Sequence, residues 1–417
     1  MLIMPALRFG FTEKDAELIR ESRFADPLGL QPVWSFFGRK LISNLTEQTK
    51  FASGFYLLAC ILYLYEQEYP KWVKADSDRR HIPAEQFYIL AEQVFAYAVY
   101  HHQHKWDLPG ANQLKNYYAG REDDTVTIGL NYQILGSQVA GGTWGLYRGA
   151  AGRSKILDDS ERRLSALFLS DFKRRAMQLP DKQAKSLFLL IQNAYDSPED
   201  GAFFFLSGTL SKQLSETLRL MGENKAVLYK YLIGAGTLRE KVVRDYARTQ
   251  WQNRVFLEHC RNKYSQDAYV FEDIIKCEDY IGTLESVLQF LYAYEGKTFK
   301  TTCNALPLSM NKVQHAYDQF MRVSTRPTGV VTGRRYNVLT RLFEADTKEN
   351  FVRWLLRLHA AIAEDRGGTP WIEADAAGRI QVNMEHTAST ELAVKPGAGW
   401  DNWYYLDSLL SVFKGLE

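Results

Sequence analysis

Apolar positions recur at helical spacing along most of this 417-residue chain. The pattern is sharpest over residues 271–294, where Tyr280, Ile281, Leu284, Val287, Leu288 and Leu291 form one broad stripe. Residues 347–364 repeat it with Phe351, Trp354, Leu355, Leu358 and Ile362, and Gly367-Gly368 ends the helix. Further amphipathic segments predict helices over 84–101, 158–177, 181–195, 210–221, 223–233, 237–262 and 309–322, and a short polar helix over 12–23. The most apolar stretch, residues 51–65, carries no charge and predicts a helix buried on every side. Just before it, Val33, Trp34, Phe37 and Leu41 predict another helix, and Asn44 followed by Glu47 has the spacing of a capping box. Together they predict a tight helical hairpin.

Two regions break the helical pattern. Between residues 106 and 152 glycines interrupt the chain repeatedly and periodicity fades, which predicts an irregular connector with a few helical turns. After residue 367, Pro370-Trp371-Ile372 and the alternation of Ile380, Val382 and Met384 flank Ala377-Gly378, which predicts a β-hairpin. A Gly/Pro loop over 395–399 then leads to a final helix over 401–415. The expected fold class is mainly α: a multi-helix bundle with a loop-rich insertion and a small C-terminal β-hairpin plus helix. Composition shifts suggest an N-terminal helical bundle over 1–105, a Gly-rich connector over 106–157, a main helical domain over 158–366 and a small α/β tail over 367–417 packing on the helical body.

A hydrophobic fraction of 46% with 24% charged residues excludes disorder over any long stretch. Aromatic residues, at 13%, point to large interlocked helix contacts or to exposed aromatic surface for a partner. A formal charge of +2 excludes a polybasic protein but leaves room for a local basic face. Cys60, Cys260, Cys277 and Cys303 lack CxxC spacing and read as free thiols in a reducing compartment. The first residues carry no basic leader before an apolar core, so no signal peptide is expected. A bilayer span needs roughly 20 apolar residues, and the 51–65 run is closed by Lys50 and Glu66. No membrane association is expected, and the expected location is cytoplasmic.

Candidate chemistry is sparse. His101 and His104 are spaced to share a helical face and are the metal-ligand candidates; the alternative is a polar helix end with cations near the C-terminal dipole. The glycines of 136–152 form neither a P-loop nor a GxGxxG after a strand, so no nucleotide motif is present, and no cofactor is expected. His259 and Cys260 are adjacent on a helix and point too far apart to work as base and nucleophile. Glu278 and Glu285 lie two turns apart with no partner identified. The most informative stretch is 322–342, which holds Arg322, Arg326, Arg334, Arg335 and Arg341 with hydroxyls and glycines and no acid. Guanidiniums, hydroxyls and free backbone N–H groups are what phosphate contacts use. With Arg174 and Arg175 of the 158–177 segment, they could line a nucleic-acid path; pairing with acidic helices or with a protein partner are the alternatives.

Residues D-P-L-G-L at 26–30, P-V-W-S-F-F-G-R-K-L-I at 32–42 and N-L-T-E-Q-T at 44–49 resemble the start of a loosely defined group of bacterial proteins. Members of that group are encoded beside helicases, nucleases or methyltransferases in antiphage defence islands. R-G-G-T-P-W-I at 366–372 and W-D-N-W-Y-Y-L-D-S-L at 400–409 are similar to endings in the same group, while the middle of the chain is unmatched. The resemblance carries no catalytic residues. It implies a non-catalytic subunit of an antiphage defence complex that binds DNA, partner proteins such as a helicase, nuclease or ATPase, or both. Trp400, Trp403 and Tyr404 are the expected partner-binding aromatics. Two alternatives stand beside this reading: an enzyme with an unrecognised site, either a metal-dependent nuclease or a nucleotide-processing effector, and a purely structural scaffold.

Overall fold

The computed structural model describes residues 26–76, 79–119, 123–158, 160, 162–172, 179–249, 253–341, 346–383, 402 and 404–417, with backbone alone at Leu220 and Arg341. The helix expected over 12–23 and the loop over 395–399 lie outside these residues. Within them the protein is mainly helical, with two small antiparallel sheets of two strands each. The chain forms two compact units, and neither is continuous in sequence: one comprises Met1–Leu41 and Trp251–Tyr404, the other Ile42–Gln250 and Tyr405–Glu417.

The first unit is built on the helix Ala268–Tyr292, whose 25 residues include the apolar stripe read from the sequence. Its buried positions surround it, because four helices pack against it: Gln31–Leu41, Asn253–Lys263, Met310–Phe320 and Lys348–Asp365. The hairpin pairs Ile372–Ala374 with Ile380–Val382, as the alternation predicted, in the register Glu373 opposite Gln381. Its turn is closed by the Asp375 carboxylate, which accepts from the N–H groups of Ala377 and Arg379, and Gly378 takes the positive φ of 71°. His359 ties three pieces together. Its Nδ1 lies 2.9 Å from the Pro27 carbonyl, and its Nε2 accepts from the Trp371 N–H at 2.8 Å, which fixes the proton on Nδ1 and the ring neutral.

The second unit is built on Ala52–Tyr63, the charge-free helix, with every residue but Ser53 buried. It continues through a π-helical turn, Leu64–Glu68, into Tyr69–Lys74, where Pro70 sits in the first turn. The helices Thr143–Arg153, Ala84–Gln103 and Leu406–Leu416 pack around it. Gly54 is what lets Thr143–Arg153 approach: a Cβ there would stand 2.4 Å from the Tyr147 ring. The segment predicted as an irregular connector is folded into this unit, with helices Ala111–Tyr118 and Thr143–Arg153 and a strand, Thr125–Ile128, that pairs with Ala202–Phe205. Its glycine-rich part is held by a carboxylate. Glu92 is 2% exposed and accepts from the Thr143 N–H (2.7 Å), the Thr143 hydroxyl and the Gln138 amide (2.9 Å). Burial raises its pKa, and these donors partly offset the rise.

Three expectations are corrected. The helices Gln31–Leu41 and Ala52–Tyr63 belong to different units rather than to one N-terminal bundle. Asn44 does not cap the second helix, which starts after Phe51 without a side-chain cap. Asn44 is instead buried, donating to the Ser154 hydroxyl (2.9 Å) and the Leu232 carbonyl (3.0 Å) and accepting from Arg239 (2.5 Å). A buried polar side chain with three partners is worth more there than at a helix start. The segment read as one helix over 237–262 is two, Leu238–Arg248 and Asn253–Lys263.

Two outcomes are expected from these contacts. Gly54→Ala should destabilise the protein by about 1–3 kcal/mol through overpacking against Tyr147, seen as a lower denaturant midpoint at unchanged slope. Burial lowers the pKa of His359 below the ordinary 6.5. The stability it contributes is therefore present above the unfolded value and is lost as pH falls through 6.5 toward the folded one. Unfolding midpoints measured from neutral to mildly acidic pH should fall less steeply in His359→Gln than in the wild type.

Candidate nucleic-acid interface

The basic segment alternates anchors with exposed cations. Val323, Pro327, Tyr336 and Leu339 are buried, while Arg322, Arg326 and Arg334 are exposed. The anchors dictate the shape: a short irregular run, then the helix Val330–Arg341. Gly329 takes a φ of 97°, a conformation that favours glycine, and its carbonyl accepts the first helical bond from Gly333 at 3.0 Å.

What fixes this segment is a buried carboxylate on the central helix of the unit. Asp273 is 1% exposed. Its Oδ1 accepts from the Ser324 N–H at 2.7 Å, and its Oδ2 accepts from the Ser324 hydroxyl at 2.5 Å and from Lys40 Nζ at 2.7 Å. Lys40 lies over the rings of Phe36 and Phe37, 5.2 and 5.0 Å from their centroids. One carboxylate thus holds the start of the basic segment and the end of Gln31–Leu41 in register. Charge-assisted bonds in a dry setting are strong, so the backbone between Arg322 and Arg326 has little freedom.

A second carboxylate, at the end of Lys348–Asp365, serves the helix. Asp365 accepts from Arg335 at 2.5 Å and pairs with Arg334 at 3.2 Å. The Arg335 hydrogen bond and the charge of Arg334 hold its pKa below the usual carboxylate range. The two arginines differ: the Arg335 side chain is 12% exposed and structural, that of Arg334 is 66% exposed and reaches solvent. Arg322 and Arg326 form no ion pair among the described residues. Arg334 lines an open groove of about 690 Å³ together with Pro327, Thr328, Gly329, Gly333, Asn337 and Val338, and Arg326 directly precedes this stretch in the chain. A Cβ on Gly333 would come within 3.3 Å of the Thr328 backbone, so this glycine lets the loop close on the helix. The first turn of Val330–Arg341 carries no acid, and its N–H groups add positive potential. The Arg334 guanidinium, the Thr328 hydroxyl and the N–H groups of the helix start, with Arg326 next to Pro327 in the chain, are a donor set for phosphate oxygens.

The other sequence candidates fall elsewhere. Arg174, Arg175, Trp400 and Trp403 and the side chain of Arg341 lie outside the described residues. Tyr404, expected on a partner surface, is fully buried instead. Its ring packs edge-on to Trp34, and its hydroxyl donates to Glu278 at 2.6 Å, a buried carboxylate that needs such a donor. The Asn402 amide reaches both Glu278 (3.2 Å) and Glu285 (3.3 Å), which supplies the partner the sequence did not identify. His101 ends a helix turn beside His102, while His104 leaves the helix with a φ of 50°, so the two candidate ligands share no helical face. Among the described residues no group of three or more His, Cys, Asp or Glu side chains could hold a metal ion. All four cysteines are buried, and burial pushes the thiols of Cys60 and Cys277 up and that of Cys303 to about 11, which disfavours the thiolate.

Sequence reasoning missed Asp273, Lys40 and Asp365. Arg39-Lys40 is visible as a basic helix end, but nothing in the local sequence around Asp273 or Asp365 marks them as ligands of a segment tens of residues away. No family model, curated protein or solved structure matches the chain. Among the described residues no helix is long and apolar enough to cross a membrane.

Asp273→Ala is expected to cost about 3–5 kcal/mol, because it leaves Lys40 and the Ser324 N–H without their buried acceptor. Chemical denaturation measures the loss, and faster amide exchange at Ser324 in native conditions would locate it. An exchange rate at Ser324 equal to that of the wild type would show that the segment is fixed by something else.

Proposed function

We propose that the protein is a non-catalytic subunit that binds DNA through the phosphate backbone, working with partner proteins in bacterial antiphage defence. One observation carries the binding reading: Arg334 lines an open groove at a helix start, and the stretch leading to it, which carries the exposed Arg322 and Arg326, is pinned by Asp273. Preorganised donors lose little freedom on binding, so this arrangement favours a phosphate over a transient surface contact. The groove offers no deep apolar pocket for a base, so recognition is of backbone rather than sequence. The defence setting rests on the motifs at residues 26–49 and 366–409, which resemble proteins encoded beside helicases and nucleases.

Fluorescence anisotropy with labelled single-stranded and duplex DNA tests the proposal. Affinity should fall steeply with added salt, and Arg326→Ala combined with Arg334→Ala should weaken binding to all sequences while reducing the salt slope by about 2. Wild-type protein that fails to bind at low salt, or a double variant that binds as well as the wild type, overturns the reading.

A further inference from the structure

The second unit carries an exposed aromatic face that the phosphate groove does not use. In the sheet of Thr125–Ile128 and Ala202–Phe205, Val126, Ile128, Ala202 and Phe204 point into the core. The opposite face shows Phe203 and Phe205, 71% and 62% exposed, across from Thr127 and Thr125. Two phenylalanines on one open face are a liability unless something covers them.

The backbone of the same strand has a free edge. The Leu206 N–H donates to the Asp124 carbonyl at 2.8 Å. The alternation of an antiparallel ladder then makes Val126/Phe204 and Ile128/Ala202 the bonded pairs. The N–H and C=O groups of Phe203 and Phe205 consequently point outward. Among the described residues, only the Phe205 carbonyl takes a backbone bond from outside the sheet, from Gly208 at 3.3 Å.

Charge decides what could cover this surface. Asp123 and Asp124 are exposed at one end of the sheet, and Asp196, Glu199 and Asp200 at the other. Facing them are His101, near Asp124, and the exposed His102 and Lys212 beside it. A nucleic acid would bring phosphates against these carboxylates, and a second copy of the sheet would bring five like charges against its own. A cationic chain meets neither obstacle, and its ammonium or guanidinium groups gain from the aromatic rings as well.

We propose that the Phe203/Phe205 face and its free edge dock an extended segment of a partner protein that carries lysine or arginine at alternate positions. The segment pairs with the outward amides as a third strand, and its cations lie over the rings and against the flanking carboxylates. This proposal is independent of the groove on the other unit.

A synthetic peptide alternating lysine and valine is the probe, with a glutamate–valine peptide as its counterpart. The lysine peptide should bind and slow amide exchange at Phe203 and Phe205, while the glutamate peptide should not bind. Phe203→Ser with Phe205→Ser should weaken binding about tenfold or more. Both side chains are exposed, so this variant should melt as the wild type does; Glu199→Gln with Asp200→Asn should independently weaken binding and flatten its salt dependence. Absence of binding by the lysine peptide, equal binding by the glutamate peptide, or binding unaffected by either pair of substitutions overturns the proposal. So does a dimer of the free protein that Phe203→Ser with Phe205→Ser dissociates, because the face would then belong to a second copy.

Discussion

The buried carboxylate of Asp273 is the constraint on which the candidate interface depends. An ionised acid inside a helical core is tolerated only with a cation and hydrogen-bond donors close at hand. Here Lys40 supplies the charge, and Ser324 supplies both an N–H and a hydroxyl. Meeting that requirement draws three distant stretches of chain to one point and leaves Arg322 and Arg326, on either side of Ser324, facing solvent. Core electrostatics thus set the path of this stretch of surface. Arg334 and Arg335 are held in turn by Asp365.

Glu92 and Glu278 repeat the device with neutral donors. Glu92 gathers Thr143 and Gln138 and so gives the glycine-rich stretch a fixed path, while Glu278 gathers Tyr404 and Asn402. In each case a long helix presents an acid inward, and an irregular segment wraps onto it. Such contacts specify which loop goes where more than they add net stability, since desolvation offsets much of the attraction. Asp365 differs in being near the surface, where it orders two arginines of unequal exposure.

Much of the helical pattern was legible, because a stripe such as Tyr280, Ile281, Leu284 and Leu288 repeats often enough to establish its period. The hairpin at 372–382 was legible for the same reason, its turn lying within the strand signal. Other features left no local trace. Thr125–Ile128 is four residues long and finds its partner beyond residue 200, so neither strand has a period to read. Asn44 and Glu47 have the spacing of a cap, yet the tertiary demand of Ser154, Leu232 and Arg239 outweighs local propensity. For the interface, the arginines were visible by type, but the path of the segment that carries them depends on Asp273 and Asp365, whose roles exist only in three dimensions. Tyr404 looked like surface because it sits in an aromatic, polar run; its hydroxyl is instead the donor a buried acid needs.

The chain passes between the two units after Leu41, after Gln250 and after Tyr404. Each unit is therefore built from two stretches that are separated in sequence by residues of the other: Gln31–Leu41 joins helices more than two hundred residues downstream, and Leu406–Leu416 packs on Ala52–Tyr63. A single cut in the chain cannot yield both units intact as separate fragments. Dissection of this protein by truncation would remove a wall from one unit whichever end is shortened, and loss of activity in such fragments would report unfolding before it reported the position of any site. Excising one unit whole calls for joining its two pieces through a new linker.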